Sequence, residues 1–411
     1  AYRTQGRDRS LVLTLDAMGD GLSATAWLGQ SGELRPLGDQ SGLSALSLFY
    51  SQVTELLGFK ANRHEGKITG LAALETVDEE LAAEWIQCIG FQKGNFQRTR
   101  FGLEPQARLW RKMKAIGREK AAATAQYVLE HSVCGFVEHW ISVSGCSNIA
   151  LAGGVFANVK LNQRIAELQS VQTVWVMPHM GDGGLAAGAA LGSSGAFPGQ
   201  MKNAFLGLEP TPNDVHRALE RAGAKRIREN PLARAAEMLS KGGIVARCKG
   251  QMEWGPRALG NRSIFASAAD NEINQRLNRH LDRSEFMPFA PIVRLEDASK
   301  YFYGISKVAD SARFMTVCLR AKPLFIEEAE AAVHVDGTAR PQFIDANQSP
   351  EVHRLLTLCG EQTGSAVLIN TSLNLHESPI AATADDGVRA WRKAGLDGLL
   401  IGDVLATPKP H

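Results

Sequence analysis

Twice in its N-terminal half this chain runs an apolar stretch into a glycine-rich turn and out into a helix. Asn148–Leu151 leads to Gly153-Gly154 and a helix through Ile165. Thr173–Met177 meets Pro178 and the turn Gly181-Asp182-Gly183-Gly184, then a small-residue helix over Leu185–Leu191. Short apolar runs bounded by glycine read as buried strands, and strands that alternate with helices make α/β sheets. The same turn aims backbone N–H groups and a helix N-terminus at a phosphate, although glycine is also needed there for steric reasons alone. An α/β fold is therefore expected for this half. It would begin with strands Leu11–Leu15 and Ala24–Leu28 around Asp16 and Gly19-Asp20-Gly21, with helices over Ser44–Leu57 and Ala121–Trp140.

A chain of 411 residues exceeds one ordinary core. Gly192–Gly199 followed by Gln200 breaks the pattern as a linker would, which predicts domains over 1–200 and 201–411. The second half suggests helices at Pro212–Ala222, Leu232–Leu239 and Ala384–Ala394. Strands are expected at Ile244–Ala246, Ser263–Ala266, Ala290–Val293, Met315–Leu319 and Ala366–Ile369. Without strict alternation, that half reads as α+β. Lys plus Arg number 45 and Asp plus Glu 43, so overall charge gives no reason to expect nucleic acid or a membrane surface as partner. No apolar run nears the roughly twenty residues that span a bilayer. Six scattered cysteines without metal-finger spacing suit reduced thiols in a cytoplasmic protein.

The densest chemistry lies in Glu253-Trp254-Gly255-Pro256-Arg257-Ala258-Leu259-Gly260-Asn261-Arg262-Ser263. Gly-Pro fixes a turn that presents Arg257, and guanidinium groups grip phosphate and carboxylate oxygens in forked pairs. Alone, two arginines in a loop more often make a solvated face or a salt bridge. Three further segments change that balance: Arg283 through Pro291, His334 through Gln342 with Arg340, and Asn370-Thr371-Ser372-Leu373-Asn374 directly after an apolar strand. Loops at strand ends are favoured places for binding.

In this order GPRALGNRSI, EFMPFAP, HVDGTARPQ and LINTSLN resemble the C-terminal YrdC-like domain of the carbamoyltransferases. The resemblance implies an enzyme that makes carbamoyl adenylate from carbamoyl phosphate and ATP and passes the carbamoyl group to a hydroxyl. On it, Arg257, Arg340, Asn370 and Ser372 would hold the phosphates and the carbamoyl group, with Arg262, Arg283 and His334 as weaker candidates. The chain departs from the family pattern at Lys249-Gly250-Gln251, where Gln-Gly-Arg is usual, and at Leu281-Asp282-Arg283, where Arg283 would replace a Lys.

The first half resembles the family's actin-like ATPase-fold domain. Gly153, Gly154, Asn158, Gly181 and Gly183 stand in its nucleotide loops, and Tyr50, Thr54, Gly58 and Glu65-Gly66-Lys67 follow its helix-and-turn pattern. The resemblance implies an iron or zinc ion (Fe2+ or Zn2+) between two histidines and two aspartates, matched here by Asp16 and Asp182, with Mg2+ accompanying ATP. The histidine element would precede Ala1, so this domain is expected to be truncated. A homodimer is a reasonable expectation, and the small-molecule acceptor is not legible. Rival readings are an actin-fold small-molecule kinase, a tRNA threonylcarbamoyl transferase and a non-catalytic nucleotide-binding homologue. The kinase leaves the C-terminal motifs unexplained, balanced charge argues against RNA, and intact phosphate motifs argue against loss of catalysis.

Overall fold

The structure is a computed structural model that describes residues 1–97, 104–197, 199–282, 288–375 and 378–409. The chain is a mixed α/β protein that divides into two compact units. One comprises Ala1–Met201 with Ser306–Ser311 and Thr316–Cys318. The other comprises Lys202–Ile305 with Ala312–Met315 and Leu319–His411.

In the first unit β1 (Ser10–Gly19), β2 (Leu22–Gln30) and β3 (Glu33–Ser41) form an antiparallel meander. A small hairpin of β4 (Phe91–Gln92) and β5 (Asn95–Phe96) follows. Then β6 (Asn148–Ala152) and β7 (Thr173–Val176) add to β1 in parallel, giving the order β3-β2-β1-β6-β7. Leu11, Leu13 and Leu15 are buried from β1. The helix Arg118–Ser144 packs its Val128, Val133, Phe136 and Val137 inward, and Gly145 at φ +60° ends it in the left-handed conformation that glycine adopts without strain. The register of β1 against β2 shifts between Leu15 and Gly19. Such irregularities re-aim side chains, and Asp16 stands in this one.

The second unit carries β8 (Lys225–Ile227), β9 (Val245–Cys248), β10 (Arg262–Ser267), β11 (Ala290–Arg294), β12 (Leu319–Arg320), β13 (Thr338–Ala339), β14 (Gln342–Ile344), β15 (Leu368–Ser372), β16 (Gly398–Ile401) and β17 (Val404–Thr407). Eight of these make one mixed sheet in the order β14-β11-β15-β10-β9-β16-β17-β8, and β12 and β13 form a separate pair. Helices Pro231–Ser240 and Pro350–Thr363 supply Ala235, Leu239, Leu355 and Leu356 to a core with Val245, Phe265, Ile292 and Leu400. Capping boxes at Thr211/Asp214 and Thr383/Asp386 start two further helices. β10 runs antiparallel to both neighbours, with Arg262 opposite Cys248 and Ser263 opposite Ser372. The loop joining β9 to β10 therefore emerges at the same sheet end as the Asn-Thr-Ser segment.

One expected strand is corrected. Of Met315–Leu319 only Leu319 is in a strand, and Met315 sits at φ +56°, in a region no strand visits. The apolar run reported burial, not pairing: Met315 and Val317 are buried without ladder partners. Among the described residues no helix is long and apolar enough to cross a membrane.

Candidate functional site

The loop between β9 and β10 is fixed almost peptide by peptide. Glu253 is 5% exposed, and its Oε1 accepts hydrogen bonds from the backbone N–H of Leu259 (2.7 Å), Asn261 (2.8 Å) and Arg262 (3.1 Å). The Ala258 carbonyl accepts from Asn370 Nδ2 at 3.2 Å and the Leu259 carbonyl from Gln342 Nε2 at 2.7 Å. Gly260 N–H donates to Ser263 Oγ at 2.9 Å, while the Gly260 carbonyl accepts from Arg247 Nη1 at 2.9 Å. Gly255 and Gly260, at φ +130° and +120°, allow the chain to close in this way. Arg257, half-buried, is carried on the turn so enclosed.

Arg262, by contrast, is fully buried. Its Nη1 donates to the carbonyls of Lys249, Gly250 and Asn261, and its Nη2 to those of Leu208 and Ala382. This guanidinium holds the loop from within and presents nothing outward. Arg247 does the same from β9: it donates to Asn261 Oδ1 at 2.5 Å and to Glu351 Oε2 at 2.9 Å, and burial pulls it below the usual arginine value. Lys249, standing in the departure from the family pattern, pairs with Glu351 at 2.6 Å.

Asn370 is also deep, at 2% exposure on β15, and its Nδ2 donates to Gln342 Oε1 at 2.7 Å besides the Ala258 carbonyl. It lies beneath the loop. Ser372, at the open end of the strand, donates to Asn374 Oδ1 at 2.5 Å. Arg340 is half-buried between β13 and β14, two residues before Gln342. His334 opens the tight turn that leads there. Its backbone N–H donates to the Thr338 carbonyl at 2.8 Å, and its ring lies 3.4 Å from Asp336. Arg283 falls outside the described residues. The structure thus brings the GPRALGN loop, the ARPQ segment and the start of the NTSLN segment into one hydrogen-bonded network.

In the first unit the two glycine loops are stitched together, since Gly153 N–H donates to the Met180 carbonyl at 2.7 Å. Asp16 Oδ2 accepts from Gly154 N–H at 2.7 Å and Oδ1 from Ala17 N–H at 2.7 Å. A Cβ on Gly153 would lie 2.2 Å from the Leu15 carbonyl oxygen, and one on Gly183 would lie 2.0 Å from His179 Nε2. Burial lowers the His179 pKa below the usual imidazole value. Asn158 caps the helix Val159–Glu167 through Leu161 N–H and donates to Gln126 at 2.9 Å, so its amide is engaged in structure. Gly181, Asp182 and Gly183 form the first turn before the small-residue helix, with Asp182 exposed. Among the described residues no group of three His, Cys, Asp or Glu side chains could hold a metal ion, and both Asp16 oxygens already accept backbone N–H groups. These residues do not fit a complete iron or zinc site.

Sequence reasoning quoted Glu253, Asn261 and Gln342 within motifs without giving them a role, and passed over Arg247. The one available signal was an acidic residue two positions before a Gly-Pro turn whose N–H groups needed acceptors.

Comparisons with known proteins agree on a family. The family model described as Carbamoyltransferase N-terminus matches residues 5–191, and Carbamoyltransferase C-terminus matches residues 236–407. The chain is 33% identical to the uncharacterized protein MJ1058 of Methanocaldococcus jannaschii, over 97% of this chain and 70% of that one. It is 34% identical to the 3'-hydroxymethylcephem-O-carbamoyltransferase of Streptomyces clavuligerus, over 62% of this chain and 47% of the relative. That match therefore spans less than half the length of the enzyme. Among solved structures, HypF of T. kodakarensis aligns with 43% of this chain and 21% of its own at 22% identity and a TM-score of 0.31. The chain belongs to the carbamoyltransferase family of transferases.

Proposed function

We propose that this chain is the core of an ATP-dependent O-carbamoyltransferase. A YrdC-like domain over 201–411 would form carbamoyl adenylate, and an actin-like domain over 1–200 would transfer the carbamoyl group to a hydroxyl on a small molecule. The observation that carries the reading is the network in which Asn370 and Glu253 hold the Ala258–Leu259 peptide, and Gln342 the Leu259 carbonyl, beside Arg257.

Carbamoyl phosphate would lose its phosphate to water, leaving carbamate. A carbamate oxygen would attack the α-phosphorus of ATP, the bond to the β-phosphate bridging oxygen breaking to release pyrophosphate. The acceptor oxygen would then attack the carbamoyl carbon, AMP leaving and the hydroxyl proton passing to solvent or a base. The first two steps spread negative charge over phosphoryl oxygens, which positioned guanidinium and N–H donors stabilise. Arg257 and Arg340 are assigned to those oxygens and Ser372 to the ligand at the strand end. Asn370 orients the loop from below and Arg262 braces it. Mg2+ would accompany ATP. Gly153, Gly154, Gly181 and Gly183 are assigned to the phosphates of a nucleotide in the first unit. A cytoplasmic homodimer remains part of this reading.

The test is pyrophosphate release from ATP by the full-length protein. It is expected only when carbamoyl phosphate is present. Release without carbamoyl phosphate, or ADP as product, overturns the reading.

A further inference from the structure

We propose that Glu253 is the positioning residue of this site: its carboxylate closes the turn that carries Arg257 and sets where that guanidinium points. The chemical half of the proposal rests on the function proposed above, and the structural half does not.

A carboxylate at 5% exposure persists only where its charge is met. Here one oxygen accepts three backbone N–H groups, and the guanidinium of Arg247 lies near enough to interact with it electrostatically. The residues so joined explain the role. Glu253 is anchored by its own backbone, in an antiparallel bridge with Phe205, and Trp254 N–H donates to the Ala204 carbonyl at 2.7 Å. Six residues later, its side chain grips Leu259 N–H. Trp254, Gly255, Pro256, Arg257 and Ala258 are therefore enclosed in a ring shut by a single side chain.

The opposite face is shut as well. The Ala258–Leu259 peptide has its carbonyl held by Asn370 and its N–H by Glu253. Any rotation of that peptide that swung Arg257 away would break both bonds together. Charge-assisted hydrogen bonds are roughly twice as strong as neutral ones. Gln at 253 would keep the shape but weaken all three contacts, and Ala would remove them.

The experiment compares wild-type full-length protein with Glu253→Gln and Glu253→Ala. It reads amide hydrogen exchange alongside kcat and KM for carbamoyl-phosphate-dependent pyrophosphate release. In Glu253→Gln, exchange at Leu259, Asn261 and Arg262 is expected to rise about tenfold or more, with Leu355 and Leu356 still protected. The same variant should lose about tenfold or more in kcat, and Glu253→Ala should lose more. Unchanged exchange at the three amides in folded Glu253→Gln overturns the positioning role. Faster exchange with wild-type kcat and KM overturns its link to the chemistry. If Glu253→Ala does not fold, Glu253→Gln decides alone. A wild-type protein that releases no pyrophosphate refutes the proposed reaction, while the exchange comparison still judges whether Glu253 holds the turn.

Discussion

Asn370 donates through Nδ2 to Gln342 Oε1 at 2.7 Å, joining two segments 28 residues apart in sequence. Both side chains then reach the same peptide run, Asn370 at the Ala258 carbonyl and Gln342 at the Leu259 carbonyl. Donor and acceptor roles are set by the carbonyls, which can only accept. The pair forms a relay from β15 through β14 to the Arg257 turn.

Asn370→Asp tests the relay. A carboxylate oxygen would face two acceptors, the Ala258 carbonyl and Gln342 Oε1, in a site 2% exposed. A loss of about 2–3 kcal/mol in urea unfolding is expected from the uncompensated buried acceptors. Asn370→Ala, which removes a donor without adding charge, should cost less.

Arg257→Ala and Arg340→Ala address chemistry instead of folding. Both residues are half-buried and stand on a braced loop and a strand connection. Each substitution should lower carbamoyl-phosphate-dependent pyrophosphate release by roughly a hundredfold or more, with a melting temperature close to wild type. A large melting shift would mark either arginine as structural.

Much of the framework was legible because buried strands carry their burial in their composition. Leu11–Leu15, Thr173–Met177 and Ala366–Ile369 each announced β1, β7 and β15. β3 was not legible: it holds Pro36 and is largely exposed, the character of an edge strand with no apolar face to read. Met315–Leu319 failed for the opposite reason, since burial without alternation cannot separate a strand from a packed loop. At the site, arginines were visible as residue types, but the division between them was not. Arg257 and Arg262 are five positions apart, yet one is on the turn and the other is enclosed by carbonyls. That distinction depends on Arg262 opening β10 beneath the carbonyls of Gly250 and Ala382, while Arg257 stands in the loop before the strand. Glu253 was given no role because its partners are backbone N–H groups, which leave no trace in side-chain spacing.

Arg262→Leu should therefore be chiefly a stability variant. It removes the donor from the carbonyls of Gly250 and Ala382 in a site with no exposure of the arginine itself, while those of Leu208 and Lys249 keep Met252 N–H and Arg247 Nη1. A cost of about 3 kcal/mol or more is expected in chemical denaturation, because buried unsatisfied acceptors forfeit their full desolvation. A stable protein with normal unfolding would contradict the bracing role.

Gly153→Ala probes the other unit. At φ +105°, with the new methyl 2.2 Å from the Leu15 carbonyl oxygen, backbone must move against β1. That movement pulls Gly154 N–H from Asp16 and Gly153 N–H from Met180. The strain is expected to cost more than about 2 kcal/mol, read as a lower melting temperature, together with loss of nucleotide binding measured by calorimetry.

The pH dependence of the loop's outer anchor follows from Glu351. Burial works to raise its pKa, but hydrogen bonds from Lys249 and Arg247 outweigh burial and hold the carboxyl below its usual value. A carboxyl with a depressed folded pKa binds its proton more weakly folded than unfolded. Its contribution to stability is therefore complete above the unfolded value of about 4.3. It is lost as pH falls from there through the folded value. The side chain is 43% exposed, so solvent screening limits the contribution to about 1 kcal/mol. Glu351→Gln should be less stable than wild type by up to that amount near neutral pH. The two unfolding curves should converge as the pH is lowered toward 3, because protonated Glu351 then carries no more charge than Gln. A stability gap that persisted undiminished at the acid end would mean that Glu351 acts through packing or helix capping at the start of Pro350–Thr363, and not through its charge.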